Sequence, residues 1–188
     1  MALYLGLVHF PIYNKNAEII TTAVTNFDIH DLARTARTYG IVKYFLIHPL
    51  ESQRNLAEGI IDYWQNGYGG EYNPDRKEAL SILRVVPDIA GAISAVELET
   101  GLRPLVATTD ARRFENSISY KKMREIIQTG GRPCLLLFGT GWGLEKGVMR
   151  EFDYILEPIL GSGEYNHLAV RAAAAIILDR LVGEEWYK

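Results

Sequence analysis

The chain predicts an α/β domain, a mostly parallel sheet with helices on both faces. Short apolar runs rich in Val, Ile, Leu and Phe recur along it, and helical stretches of about 10–15 residues separate them, the spacing of βαβ units. Several of these runs are continuous rather than alternating, as strands buried on both faces require. No repeat, low-complexity tract or linker divides the 188 residues, so residues 1–188 are read as a single domain.

Residues 3–9 read as the first strand. Asp28–Tyr39 reads as a helix with Asp28 as N-cap, an apolar face of Ile29, Leu32, Ala33 and Ala36, and Gly40 as its stop. Residues 41–48 form a strand and 51–65 a helix with Leu56, Ile60, Ile61 and Trp64 on one side. The Gly-, Asn-, Asp- and Pro-rich stretch 66–79 is read as a loop. Strands then follow at 81–86, 103–108, 133–139 and 154–159, with helices at 88–100, 119–129 and 166–182. In such folds ligands bind beyond the carboxyl ends of the strands. Three exits carry unusual loops: Thr108–Arg112, Gly139–Gly143 and Pro158–Gly161.

Composition narrows the function. With 20 basic and 23 acidic residues the net charge is −3, so no global basic signal points to nucleic acid. A nucleic-acid partner would need a local patch, and the candidates are Arg34 with Arg37, Arg76 with Lys77, Arg112 with Arg113, and Lys121 with Lys122. No apolar run approaches the ~20 residues of a membrane span, and the N-terminus has no signal-peptide pattern. Cys134, the one cysteine, reads as a small core residue and fits a reducing cytoplasm.

The glycine turn Phe138-Gly-Thr-Gly-Trp-Gly-Leu144 invites comparison with known phosphate cradles. A dinucleotide fingerprint has Gly or Ala where Leu144 stands and belongs to an early βα unit. A P-loop needs a Lys followed by a hydroxyl residue, whereas Lys146 precedes Gly147. No metal is expected, because the four histidines, 9, 30, 48 and 167, are scattered and no paired cysteines exist.

Three segments in order resemble the motifs of the SPOUT superfamily of S-adenosylmethionine-dependent RNA methyltransferases: 28–41 (DIHDLARTARTYGI), 135–161 (LLLFGTGWGLEKGV…DYILEPILG) and 165–181 (YNHLAVRAAAAIILDRL). The resemblance covers the whole chain. Asp28 and His167 stand where the ribose-methylating branch usually has Asn, and the glycine turn lacks that branch's Glu. The resemblance implies a C-terminal trefoil knot, with glycines 139, 141, 143, 161 and 163 placed where a Cβ would clash between crossing backbones. It also implies S-adenosylmethionine as cofactor and RNA, transfer or ribosomal, as substrate.

By that resemblance the cofactor is held by Thr108, Phe138, Gly139, Thr140, Gly141, Trp142, Gly143, Leu156, Pro158, Ile159, Gly161, Asn166, His167, Leu168 and Val170. Arg34 matches the arginine of the first motif and is the catalytic candidate; an ion pair with Asp31 on the helix face is the alternative. Arg34, Arg76, Lys77 and Arg112 are the substrate-binding candidates. Trp142 is either an exposed stacking surface or a core residue, His167 either a cofactor contact or a core residue at the helix start, and Asn166 a helix cap. The alanines 169 and 172–175 imply a homodimer contact, with burial inside one chain as the alternative. Tyrosines interleaved with Arg76 and Lys77 suit stacking on single-stranded RNA. The expectation is a cytoplasmic, homodimeric RNA methyltransferase with no membrane or metal partner. A non-catalytic knot domain that binds RNA or cofactor is the second reading, and a nicotinamide dehydrogenase the third.

Overall fold

A computed structural model describes residues 2–184. Strand β1 (Leu3–Val8) is buried throughout. Leu3, Leu5 and Leu7 enter one core and Tyr4 and Val8 the other, the alternation a strand shows when both faces are covered. Two short strands follow, β2 (Ile12–Tyr13) and β3 (Ile19–Ile20), paired as an antiparallel ribbon. Then come α1 (Asn26–Thr38), β4 (Tyr44–Ile47), α2 (Glu51–Asn66), α3 (Tyr68–Tyr72), α4 (Pro74–Leu80), β5 (Leu83–Val86) and α5 (Ile89–Thr100). The second half holds β6 (Leu105–Thr108), β7 (Ser117–Ile118), α6 (Tyr120–Thr129), β8 (Cys134–Gly139), α7 (Lys146–Met149), β9 (Tyr154–Leu156) and α8 (Val170–Val182).

The main sheet runs β5-β4-β1-β8-β6-β9-β7, with every pair parallel. All its strands therefore exit at one edge, and the loops beyond that edge share one end of the molecule. One face is covered by α1, α6 and α8, which contribute Ile29, Leu32, Met123, Ile127, Ile177 and Leu178 to a common core. The other is covered by α5, with Ala92 and Val96, and by Met149 of α7. Cys134 lies fully buried in β8, where burial pushes its thiol up to about 12 and keeps it protonated. Among the described residues no helix is long and apolar enough to cross a membrane.

The main strands and helices follow the order of the sequence reading, β2, β3, β7 and α7 are additional to it, and four further details differ. Helix α1 begins two residues earlier than expected, and Thr25, not Asp28, is its N-cap. Asp28 is the N3 member of a capping box, accepting from the Thr25 amide at 2.7 Å while its own amide donates to Thr25 Oγ1. The stretch 66–79 is not a loop but carries α3 and α4. Its glycines serve close packing: a Cβ on Gly70 would fall on the carbonyl oxygen of Trp64, so α3 can lie against α2 only without one. Asn73 caps α4 through the Arg76 amide and Pro74 opens it, the arrangement a first helical turn favours. The last strand ends at Leu156 and the last helix starts at Val170, so Asn166 caps nothing; residues 157–169 are an extended connection. Finally, Gly161 and Gly163 have open space where a Cβ would stand, so no crowding explains them.

Candidate active site

Strand β8 ends in the turn Thr140–Gly143, closed by the Gly143 amide on the Thr140 carbonyl at 3.0 Å. Gly141 (φ +55°) and Gly143 (φ +94°) adopt left-handed conformations that L side chains resist. The turn is bonded to the β2 segment. Tyr13 donates its amide to the Gly143 carbonyl (2.9 Å) and accepts from the Trp142 amide (3.1 Å), and the Glu145 amide reaches the Pro11 carbonyl (3.1 Å). A Cβ on Gly141 would stand 2.9 Å from Ile12 Cγ2. Glu145 caps α7, accepting from the amides of Gly147 and Val148 and from Tyr13 Oη, bonds that hold its carboxyl below the usual range.

One other exit meets this turn. Arg112 places its fork on the nearly buried carboxylate of Asp110 (2.8 and 2.7 Å), and the pair lies against Gly143, whose Cβ would meet Asp110 Oδ2 at 2.9 Å. The bond to Asp110 also raises the Arg112 guanidinium. Asn166 donates Nδ2 to the Ala111 carbonyl at 2.7 Å, tying the connection before α8 to the same loop. Beyond β9, Glu157 accepts from the Tyr120 amide and pairs with Arg113 at 3.3 Å. Large apolar side chains stand exposed on these loops: Trp142 (62%), Leu160 (62%), Tyr165 (78%) and Leu168 (44%). These side chains leave apolar surface on the loops beyond the carboxyl ends of the strands.

Beneath the turn lies a buried polar chain that sequence reading missed. Thr140 Oγ1 donates to the Val8 carbonyl at 3.1 Å. Its proton thus committed, it accepts from Thr22 Oγ1 at 2.5 Å, and Thr22 in turn accepts from Nδ1 of His9 at 2.9 Å. His9 thus donates from Nδ1, and its Nε2 lies 4.0 Å from Asp28 Oδ2 with no hydrogen-bond partner among the described residues. Burial and the nearby His48 ring, 5.2 Å away, push His9 down to about 4. Asp28 is pushed the other way by burial, partly offset by its Thr25 bonds and by Arg171. His48 accepts the Leu50 amide at Nδ1, so its Nε2 donates to the Thr22 carbonyl at 2.9 Å. The only sequence sign of this cluster is a histidine ending each of two apolar strands.

The remaining candidates divide. Thr108 and Phe138 are buried, and the Thr108 hydroxyl donates to the Leu137 carbonyl, so they offer a ligand backbone groups at most. Leu156 and Pro158 are buried, Ile159 and Val170 half-buried, and Gly139 and Thr140 half-buried at the turn. His167 is exposed, edge-on to Tyr165 at 5.5 Å, and not a core residue; Trp142 is not one either. Arg34 does not pair with Asp31, which instead meets Arg171 at 3.5 Å. Arg34 is exposed on α1, six residues past Asp28 and so roughly 9 Å further along the helix axis. Arg76 stacks on Trp64 at 4.9 Å, and Lys77 is exposed beside it on α4.

The residues present suit an adenosine cofactor. The turn offers backbone amides where no Cβ intrudes, exposed apolar surface surrounds it, and 138–144 holds no charged side chain. A family described as SAM-dependent RNA methyltransferases matches residues 2–183. An uncharacterized protein of Aquifex aeolicus is 44% identical over 179 residues, 95% of this chain and 87% of that one. A tRNA (guanine-N(1)-)-methyltransferase of Oleidesulfovibrio alaskensis is 42% identical over 182 residues, 97% of this chain but only 42% of its own length. The SpoU methyltransferase AviRb from Streptomyces viridochromogenes, solved with the cofactor AdoMet, matches with a TM-score of 0.53 and 16% identity, covering 97% of this chain and 56% of that one. That likeness is one of fold: the parallel sheet and helices are those of the SPOUT methyltransferases. The family pattern spans nearly the whole chain, and the chain belongs to the SAM-dependent RNA methyltransferases, with S-adenosylmethionine as its cofactor.

Proposed function

We propose that the chain methylates a nucleotide of tRNA, in the cytoplasm, as a homodimer whose C-terminal segment forms a trefoil knot around the cofactor. The single observation that carries the site is the gathering of loops at one end of the sheet: Gly143 lies against Asp110 and Arg112, and Asn166 bonds to Ala111. The return of the 166 segment onto the 108–112 loop supports the knot. The tRNA substrate is supported by the name of the Oleidesulfovibrio relative. Half-exposed Ala172, Ala173 and Ala175 on α8, with exposed Phe27 on α1 beside Arg171, support a dimer contact there; Ala174 is buried within its own chain.

S-adenosylmethionine supplies a methyl group on a cationic sulfur, already activated for in-line displacement. The chain's task is then positioning. Backbone groups of 139–143, 156–161 and 166–170 would hold the adenosine, and exposed Trp142 and Leu168 offer apolar surface to it. The Asp110–Arg112 pair keeps the 108–112 loop pressed on the turn. Arg34, exposed and without an ion pair among the described residues, is available for an anion of the acceptor nucleotide. A guanidinium stays protonated in proteins, so its role is electrostatic and not that of a base. In a dimer Arg34 would serve the partner's cofactor.

The test is a comparison of modified nucleosides in RNA from a deletion strain and its parent by mass spectrometry. One methylated nucleoside should vanish from the tRNA fraction of the deletion strain. Identical tRNA nucleosides in both strains would overturn the tRNA reading.

A further inference from the structure

Helix α1 carries Asn26, His30 and Arg34 at spacings of four, one stripe on its surface. The first two face α2, where they line a groove of about 460 Å³ with Asn55, Leu56, Gly59, Ile60, Tyr63 and Trp64. The volume is that of a small-ligand site. Nδ1 of His30 is buried here without a hydrogen-bond partner among the described residues. Burial and the charges of Arg76 and Arg34 hold His30 below its usual value, with Asp31 opposing. The ring is thus neutral near pH 7, one nitrogen a donor and the other an acceptor. Exposed Asn55 and Asn26 add carboxamides at the mouth.

The walls are aromatic. Trp64 meets His30 edge-on at 5.5 Å and Tyr63 edge-on at 5.6 Å, while Arg76 lies over the Trp64 ring. Half of the Tyr63 surface is open. Gly59 is the telling residue. It lies inside α2, where glycine weakens a helix, yet a Cβ there would meet nothing within 4 Å. Packing does not require glycine at this position, and its missing side chain leaves the groove open along α2.

We propose that this groove holds an unpaired base of the RNA substrate, stacked on Tyr63 and read at its edge by His30, Asn26 and Asn55, with its phosphate on Arg34. The proposal rests on the RNA methyltransferase reading and adds a subsite distinct from the cofactor turn. Charge favours this occupant: Arg76 lies over the Trp64 wall, Arg34 follows His30 one turn on along α1, and Arg34 carries no ion pair among the described residues. A second copy of the chain fits less well, since an apolar contact would bury His30 Nδ1 and two carboxamides unmatched. Unpaired bases are what proteins stack on aromatic side chains, whereas paired ones are already stacked.

The test uses full-length protein, a fluorescein-labelled 12-nucleotide single-stranded RNA of mixed sequence, and its duplex. Gly59→Leu fills the groove with a good helix former, and Tyr63→Ala removes the stacking face. Both should weaken single-strand binding about tenfold or more by anisotropy, the loss expected for one stacked base. Calorimetric affinity for S-adenosylmethionine and the mass in solution should stay unchanged. Ultraviolet cross-linking of the wild type should place the RNA on Tyr63 or Trp64. Wild-type RNA affinity in both variants would overturn the groove but leave the methyltransferase reading standing. A changed mass in Gly59→Leu would assign the groove to a second copy. Duplex binding as tight as single-strand binding in the wild type, and weakened equally by both variants, would overturn the unpaired base. Failure of the wild type to bind RNA or transfer methyl to tRNA would instead overturn the reading beneath it.

Discussion

Thr22 and Thr140, 118 residues apart, share a hydrogen bond that makes the glycine turn the last link of a buried chain starting at His9. The glycine turn is thereby coupled to a fully buried histidine that burial keeps neutral.

That coupling predicts a pH dependence of stability. His9 is lowered to about 4 in the fold, so the unfolded chain takes up a proton first as pH falls through about 6.5. Stability is complete above that value and is lost as pH drops toward 4. This histidine alone should remove roughly 2 kcal/mol between pH 7 and pH 4.5. His48, also lowered, adds to the loss. Asp28, raised, opposes it, and Arg171 moderates Asp28. Urea unfolding at the two pH values should show a clearly smaller loss in His9→Asn. An equal loss in the variant would show that His9 does not titrate in this way.

Glycines 141 and 161 should separate sharply. Gly141→Val places a branched side chain at φ +55° and against Ile12, so it should displace the turn and abolish S-adenosylmethionine binding by calorimetry. Gly161→Ala meets nothing within 4 Å, and its melting temperature should match the wild type within error. A marked destabilisation by Gly161→Ala would mean that another backbone crosses there.

Much of this was legible in the sequence, and the failures have physical causes. β1 and β8 could be read because both-face burial leaves continuous apolar runs. The 66–79 stretch was misread because Gly69 and Gly70 look like turn residues, whereas they permit α3 to touch Tyr63 and Trp64, a tertiary demand. Asn73-Pro74, a helix start, was the available sign. Asp28 looked like a cap because N-cap and N3 favour overlapping residue types. The His9–Thr22–Thr140 chain and the Asn166–Ala111 bond join residues remote in sequence, which no local pattern encodes. Arg34 was singled out by resemblance, but its freedom from Asp31 became visible only once α8 brought Arg171 to that carboxylate.

Asn166 provides a test of how the exits cooperate. Asn166→Ala removes the 2.7 Å bond to Ala111 from an exposed connection, so the fold should keep its melting temperature within a few degrees. Affinity for S-adenosylmethionine should fall about tenfold, because the 166–170 segment is no longer held in place. Unchanged affinity by calorimetry would separate this bond from the cofactor site.

The most direct measurement is single-turnover transfer of tritiated methyl from saturating S-adenosylmethionine to deletion-strain tRNA, comparing wild type, Arg34→Ala, Arg34→Lys and Asp31→Ala. The arrangement predicts transfer by the wild type and a fall of about 10²–10³ in Arg34→Ala, the loss of one preorganised electrostatic contact. It predicts partial recovery in Arg34→Lys and near-normal rates in Asp31→Ala, whose partner is Arg171. Wild-type rates in Arg34→Ala would contradict the acceptor role, and no transfer by the wild type would contradict the tRNA methyltransferase itself.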